Sequence, residues 1–201
     1  MTQPIPLPAP LPRLVVGSND LRLELWRADA VEEVVALVEH SRDSLSAFLP
    51  WANEPQPPEA EAVIQAESTK RWEAGLMAGW MIVEDREIRG MLGLHRRGGP
   101  DEAELGYWLD DEATGRGLMT TACTMATDVA FGIDAIDVVE IVHDANNHRS
   151  AAVPARLGFS RTAAYTAPAQ ARCESGIKVR WCVRRDEWQA RGRPSTVLHA
   201  E

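Results

Sequence analysis

Glu104-Leu105-Gly106-Tyr107-Trp108-Leu109 runs straight into Asp110-Asp111-Glu112-Ala113-Thr114-Gly115-Arg116-Gly117-Leu118. The first six residues are rich in aromatic and branched side chains and short enough for a strand. After the glycines, Met119, Ala122, Ala126 and Val129 recur on one helical stripe. A strand feeding a helix through such a turn directs unpaired backbone N–H groups outward at the positive end of the helix dipole, which suits an anion. Glycine there lets backbone approach a ligand closely. The same Gly-x-Gly also serves as a plain tight turn, so both readings stand at this point. A dinucleotide fingerprint would need glycine at Thr120, and a P-loop would need Gly-Lys-Ser/Thr where Gly117-Leu118-Met119 stands.

Glu112-Ala113-Thr114-Gly115-Arg116-Gly117 resembles the Gln/Arg-x-x-Gly-x-Gly/Ala pyrophosphate loop of the GNAT acyltransferase superfamily. One helix and one strand later, Asn147-His148-Arg149-Ser150 and Arg156-Leu157-Gly158-Phe159 resemble that family's Asn-x-x-Ser…Lys/Arg-Leu-Gly-Phe segment. Leu49-Pro50-Trp51 is similar to a signature of its ribosomal-protein N-acetyltransferase (RimJ/RimL-like) branch. The resemblance covers roughly Leu21 to Trp188. It implies an α/β (α+β) fold: a mixed, mostly antiparallel sheet flanked by helices and splayed between its fourth and fifth strands. It further implies acyl transfer, most simply of acetyl, from acyl-CoA as co-substrate to a primary amine, without a metal. The amine would belong to a protein N-terminus, a lysine or a small molecule. A catalytically weak acyl-CoA-sensing module on the same fold is the alternative.

Composition sets outer bounds. With 201 residues, 45% hydrophobic and 25% charged, the chain suits one globular domain. A net charge of −9 argues against nucleic acid and is compatible with a cationic substrate or with plain solubility. No apolar run is long enough for a membrane, and the start lacks signal-peptide features. Cys123, Cys173 and Cys182 form no Cys-x-x-Cys pair, as expected for a reduced cytoplasmic protein.

In chain order, residues 1–20 read as an extended proline-rich arm, 21–190 as the acyltransferase domain and 191–201 as a flexible tail. Leu21 to Arg27 is expected as the first strand. A helix capped by Asp29 and Glu32 follows, and a second from Glu59 to Ala74 buries Ile64, Ser68 and Trp72. Ala78 to Val83 and Glu87 to Leu94 form a hairpin, continued by the strand at Glu104. Asp137 to Val142 is a buried strand in parallel to it. Ser160 to Tyr165 and Gly176 to Val183 form a last hairpin around a long loop, Thr166 to Ser175. The arm and the aromatic loop near Trp51 are compatible with a homodimer.

The site residues follow from the resemblance, each beside a plainer reading. Backbone N–H groups near Leu109, Glu112, Ala113, Thr114, Gly115, Arg116, Gly117 and Leu118 cradle the pyrophosphate, with Arg116 adding charge. Glu112 departs from the family's Gln/Arg. Arg149 and Arg156 face the nucleotide phosphates or are solvated helix positions. Asn147 holds the pantetheine arm, caps a helix, or does both. Glu104 is the candidate base; alternation puts it with Gly106 and Trp108, and nearness to Trp108 would desolvate it. His95 is a second base candidate, and a water relay is a third route. Trp51, His95 and Trp108 line the acceptor groove. Many relatives place an acidic tyrosine where this chain has Pro154, so Ser150 is the candidate acid or sulfur hydrogen-bond donor, and equally a helix N-cap. A start at Asn147 puts Pro154 in the helix interior, at about 3 kcal/mol, whereas a cap at Ser150 keeps it in the first turn, so the later start is expected.

Overall fold

A computed structural model describes residues 12–17, 20–96 and 99–192, and the backbone of 197–199. Nine strands make one sheet in the order β7-β8-β6-β5-β4-β3-β2-β1-β9 among the described residues. They are β1 Leu14–Val16, β2 Arg22–Leu25, β3 Met77–Glu84, β4 Glu87–His95, β5 Glu102–Leu109, β6 Val138–Asp144, β7 Ser160–Thr166, β8 Ile177–Arg184 and β9 Val197–His199. The β5–β6 pair alone is parallel. It is joined by the crossover helix α4, Leu118–Phe131, as a parallel connection requires.

Strand alternation sends two sets of side chains to two cores. Leu105 of β5 and Val139 and Ile141 of β6 pack with Met119, Ala122 and Ala126 of α4. Leu157 of α5 (His148–Leu157) and Trp188 of α6 (Arg185–Gln189) close the same core. On the other face Val34 and Val38 of α1 (Val31–His40) and Leu45 of α2 (Arg42–Ser46) cover Met81 and Met91. Between Glu84 and Glu87, Asp85 and Arg86 adopt φ of 52° and 70°. Two consecutive left-handed residues make the type I′ turn that suits a right-twisted hairpin, even without glycine.

Several expectations need correction. The strand at Leu21 to Arg27 is second, because Leu14–Val16 already pairs with it and with Val197–His199. Each partner is only three residues long, too short for a visible alternation. Thus part of the expected arm and part of the expected tail lie in the sheet, while residues 1–11, 18–19, 193–196 and 200–201 lie outside the described residues. Asp29 caps nothing: it lies within a 3-10 turn at Ala28–Ala30, one residue before the N-cap Ala30, and pairs with Arg27 at 3.6 Å. Helix α3, Pro58–Glu73, buries Glu61, Gln65 and Trp72 and leaves Ile64 45% exposed. Its scarce apolar residues define no stripe, so packing chose the face.

Helix α5 starts earlier than expected. Asn147 is its N-cap, accepting the Ser150 N–H at 3.0 Å, and Pro154 lies in the interior. The proline lacks the N–H that would bond the Ser150 carbonyl one turn back. Gly158 ends the helix in the left-handed conformation, as the sequence implied.

The loop between β7 and β8 is held by one buried carboxylate. Asp144 accepts the Asn146 N–H at 3.0 Å and the Ser175 N–H and hydroxyl at 2.8 Å each, with Lys178 at 3.9 Å. Burial alone would raise its pKa, but these donors together hold it below the ordinary carboxylate range. A depressed folded-state pKa adds stability above the unfolded value, and that stability is lost as pH falls through the folded value. Asp144→Asn is expected to lower unfolding free energy at neutral pH by about 2 kcal/mol. Urea titrations should show the deficit shrinking as the medium is acidified below pH 4; a deficit that does not depend on pH would contradict this account.

Candidate active site

The site is built where β5 and β6 part. They pair only at Glu102↔Val138, Ala103↔Val139 and Glu104↔Glu140. Beyond that level β5 continues beside β4 to Leu109↔Gly90, and β6 beside β8 to Asp144↔Lys178. The edges facing each other across the gap therefore carry backbone N–H and C=O groups with no ladder partner, and such groups seek one. The expected splay between the strand at Glu104 and the next is present.

The turn after β5 opens toward the same gap. Asp111–Ala113 form a 3-10 turn, and Gly117 is the N-cap of α4. The Glu112 N–H goes to the Asp110 carboxylate, Ala113 N–H to the Asp110 carbonyl and Thr114 N–H to the Asp111 carbonyl. The cradle is thus narrower than expected: the N–H groups of Gly115, Arg116, Gly117 and Leu118 find no backbone acceptor among the described residues. Gly115 and Gly117 have φ of 77° and 84°, and a Cβ on either would meet nothing within 4 Å. A left-handed turn with empty space above it fits an oxyanion held by main-chain donors.

The charged side chains around the turn have other partners. Arg116 donates to the buried Glu84 at 2.9 Å, and that pair anchors the loop. Arg149, 77% exposed in the first turn of α5, lies 3.7 Å from Asp111 and so borders the turn. Arg156 is exposed in the last turn of α5, about 10 Å further along the axis. Glu112 is exposed, 3.7 Å from His40.

A clasp that sequence reading missed fixes the end of β5. Buried Asp110 accepts from the Ser41 hydroxyl and from His40 Nδ1, both at 2.7 Å, and Ser41 Oγ accepts the Asp111 N–H at 2.9 Å. Burial would raise the Asp110 pKa, but these donors bring it below its usual value, and Asp110 in turn raises His40. Nothing local marks this contact, which joins residues about 70 positions apart.

The opposite face of the sheet carries the acceptor candidates. Glu104 lines an open groove of about 610 Å³ with Glu140, Val142, Tyr165, Ala167, Lys178 and Arg180. His95 is the register partner of Glu104 on β4 and shares its face. Its ring lies over Gly93, where a Cβ would sit 2.6 Å from Nε2, so glycine permits this pose. Trp51, in a 3-10 turn, meets Trp108 with ring centroids 6.2 Å apart. The expected alternation of β5 holds, but the expected closeness of Glu104 to Trp108 does not: four strand positions span about 13 Å. The true neighbour of Glu104 is Glu140. Burial pushes the Glu140 carboxyl above its ordinary pKa, Arg180 opposes the shift, and Glu104 and Glu102 add to it. Arg180 donates to both Glu140 and Glu102. The signal that could have marked Glu140 is a carboxylate flanked on both sides by apolar residues in a buried strand.

On the α5 side, the Tyr107 hydroxyl lies 3.1 Å from Ser150 Oγ and 3.4 Å from the Ser150 carbonyl. His143 is not available as a base. Trp181 Nε1, a donor only, gives its proton to His143 Nε2 at 2.9 Å, which leaves the imidazole proton on Nδ1, facing the Asp144 carbonyl at 2.8 Å.

Comparison with known proteins gives the same picture. Residues 20–160 match the family described as acetyltransferase (GNAT) domain. The putative ribosomal N-acetyltransferase YdaF of Bacillus subtilis (strain 168) is 28% identical over 146 residues, covering 71% of this chain and 79% of that protein. RimL, a ribosomal L7/L12 alpha-N-protein acetyltransferase solved with coenzyme A, superposes with a TM-score of 0.80 at 19% identity, over 85% of this chain and 97% of the other. Mycobacterium smegmatis RimJ superposes with a TM-score of 0.73 at 18% identity, over 92% and 95%. The match spans most of the chain, including the parted strands and the glycine turn. The chain belongs to the GNAT acetyltransferase family and is an N-acyltransferase with an acyl-CoA co-substrate.

Proposed function

We propose that the protein transfers an acetyl group from acetyl-CoA to a protein α-amine, in the cytoplasm where acyl-CoA and nascent proteins meet. The observation that carries this reading is the parting of β5 and β6 one residue past Glu104↔Glu140, with donor-rich backbone at one end and a carboxylate-lined groove on the far face. A protein acceptor is favoured by the names of the relatives, YdaF and RimL. The open groove, which admits a chain end without a deep enclosing pocket, agrees with it.

The residues divide the work. The N–H groups of Gly115, Arg116, Gly117 and Leu118 hold the pyrophosphate. The unpaired edges of β5 and β6 hold the pantetheine amides, and Asn147 fixes the start of α5 beside them. Bound in this way, acyl-CoA supplies the activated thioester. The acceptor amine must be neutral to attack. An α-amine, with a pKa of about 7.7–8.0, loses its proton far more readily than a lysine at about 10.4. Glu104 receives that proton directly or through one water. Trp51 and Trp108 flank the acceptor chain, and His95 closes the groove beside Glu104. Ser150 faces the departing sulfur.

Two outcomes test the division. Gly117→Val forces a branched residue into the left-handed region and shades the free N–H groups. Calorimetry should show acetyl-CoA binding weakened at least about tenfold, roughly 1.4 kcal/mol; an unchanged titration would remove the pyrophosphate assignment. Glu104→Gln should lower kcat about a hundredfold or more while acetyl-CoA affinity holds, the size expected for loss of a general base. Equal kcat values in the two proteins would leave the water relay as the route.

A further inference from the structure

Ser150 is held at every polar atom by something other than a regular helix. Its N–H goes to the Asn147 side chain at 3.0 Å. Its carbonyl would normally accept from residue 154, but Pro154 has no N–H to give. Tyr107 reaches across the gap from β5 and brings its hydroxyl to 3.4 Å from that carbonyl and 3.1 Å from Ser150 Oγ. The ring packs against the core shared with α4 and α5, which fixes where the phenol ends.

We infer that Tyr107 is a positioning residue for departure of the thiol, acting through Ser150. The inference rests on the acyl-transfer reading above. The phenol has one proton and gives it to Ser150 Oγ, the nearer acceptor. With one lone pair engaged in this way, the serine's own proton turns to a third group, the sulfur.

The bond changes balance without a proton leaving Tyr107. The amine nitrogen bonds to the thioester carbon, the carbon–sulfur bond breaks, and its electron pair stays on sulfur. The amine's surplus proton passes to Glu104 or water. The Ser150 O–H donates a hydrogen bond to the sulfur anion, and the phenol strengthens that donor by bonding to its oxygen. Burial pushes the Tyr107 phenol far above its ordinary pKa, which keeps it protonated and makes it a standing donor rather than an acid.

The test is a cycle of variants assayed with acetyl-CoA and a panel of amines. Tyr107→Phe keeps the ring and removes one oxygen. It should lower kcat roughly tenfold, the scale of one hydrogen bond to a reacting group, with acetyl-CoA affinity and melting temperature little changed. In a Ser150→Ala background the same substitution should cost nothing further. Pro154→Ala returns an N–H to the Ser150 carbonyl, so it separates the two roles of the phenol. If Tyr107 works through Oγ, Tyr107→Phe/Pro154→Ala stays as slow as Tyr107→Phe. Recovery of that double variant, full additivity with Ser150→Ala, or an unimpaired Tyr107→Phe would each overturn the inference and leave acyl transfer standing. Wild-type protein that turns over no amine would remove the acyl-transfer reading and this inference with it.

Discussion

Two adjacent strands that must separate after three paired residues set the constraint on everything else. A parallel pair in a buried sheet gains by continuing, so the separation needs a force at each tip. Buried carboxylates provide it. Asp110 ends β5 and is tied to Ser41 and His40 at the α1–α2 junction. Asp144 ends β6 and is tied to Ser175, on the loop before β8. Each is almost fully buried and takes several charge-assisted hydrogen bonds on one carboxylate oxygen, an arrangement costly to disturb. Each tip is thus tied to a different segment instead of to the other strand. The loop between β7 and β8 adds a strut: the Cys173 N–H bonds the Ala47 carbonyl, and the Asn146 side chain bonds the Cys173 carbonyl.

Much of this was legible in the sequence because it is local. Gly115 and Gly117 announce left-handed backbone at a helix start, and the structure has both in that conformation. Glu84-Asp85-Arg86 between two β-rich runs announces a tight hairpin. What escaped depends on distant partners. The His40–Ser41–Asp110 clasp, the anchoring of Arg116 by Glu84 and the β1–β9 pairing join residues far apart in the chain, and no periodicity encodes them. The start of α5 was misread for a different reason. Cost was assigned to Pro154 and the cap moved to Ser150 to avoid it, yet Asn147 is the better-placed cap and the lost bond is tolerated. A propensity argument weighs one helix in isolation; here a phenol from another strand sits beside the carbonyl that proline abandons.

The electrostatics follow from the pleat. Successive residues of a strand face opposite sides. Ala103 and Leu105 of β5, and Val139 and Ile141 of β6, face the helix core. Their neighbours Glu104, Glu140 and Val142 face the groove. The glycine turn supplies partial positive charge from backbone dipoles at the start of α4, while the groove sets two carboxylates, Glu104 and Glu140, beside two cations, Lys178 and Arg180. Neutral backbone dipoles at the glycine turn suit an anion on a chain whose net charge of −9 would otherwise repel it. Arg116, the one basic side chain within the turn, is already committed to Glu84.

The same geometry decides where the reaction can occur. A ligand entering from the glycine turn runs along unpaired strand edges only until the strands meet, and the last open level is the one just past Glu104↔Glu140. The acceptor reaches the same level from the groove, because Glu104 and Glu140 form its floor. Neither substrate can travel further without breaking a paired ladder, so the sheet itself brings thioester and amine to one depth. Tyr107 and Ser150 lie on the helix side of this gap and the carboxylates on the other. With the roles proposed above, the group serving the sulfur and the group serving the amine would stand on opposite sides of the carbonyl carbon, the order in which the two bonds must change.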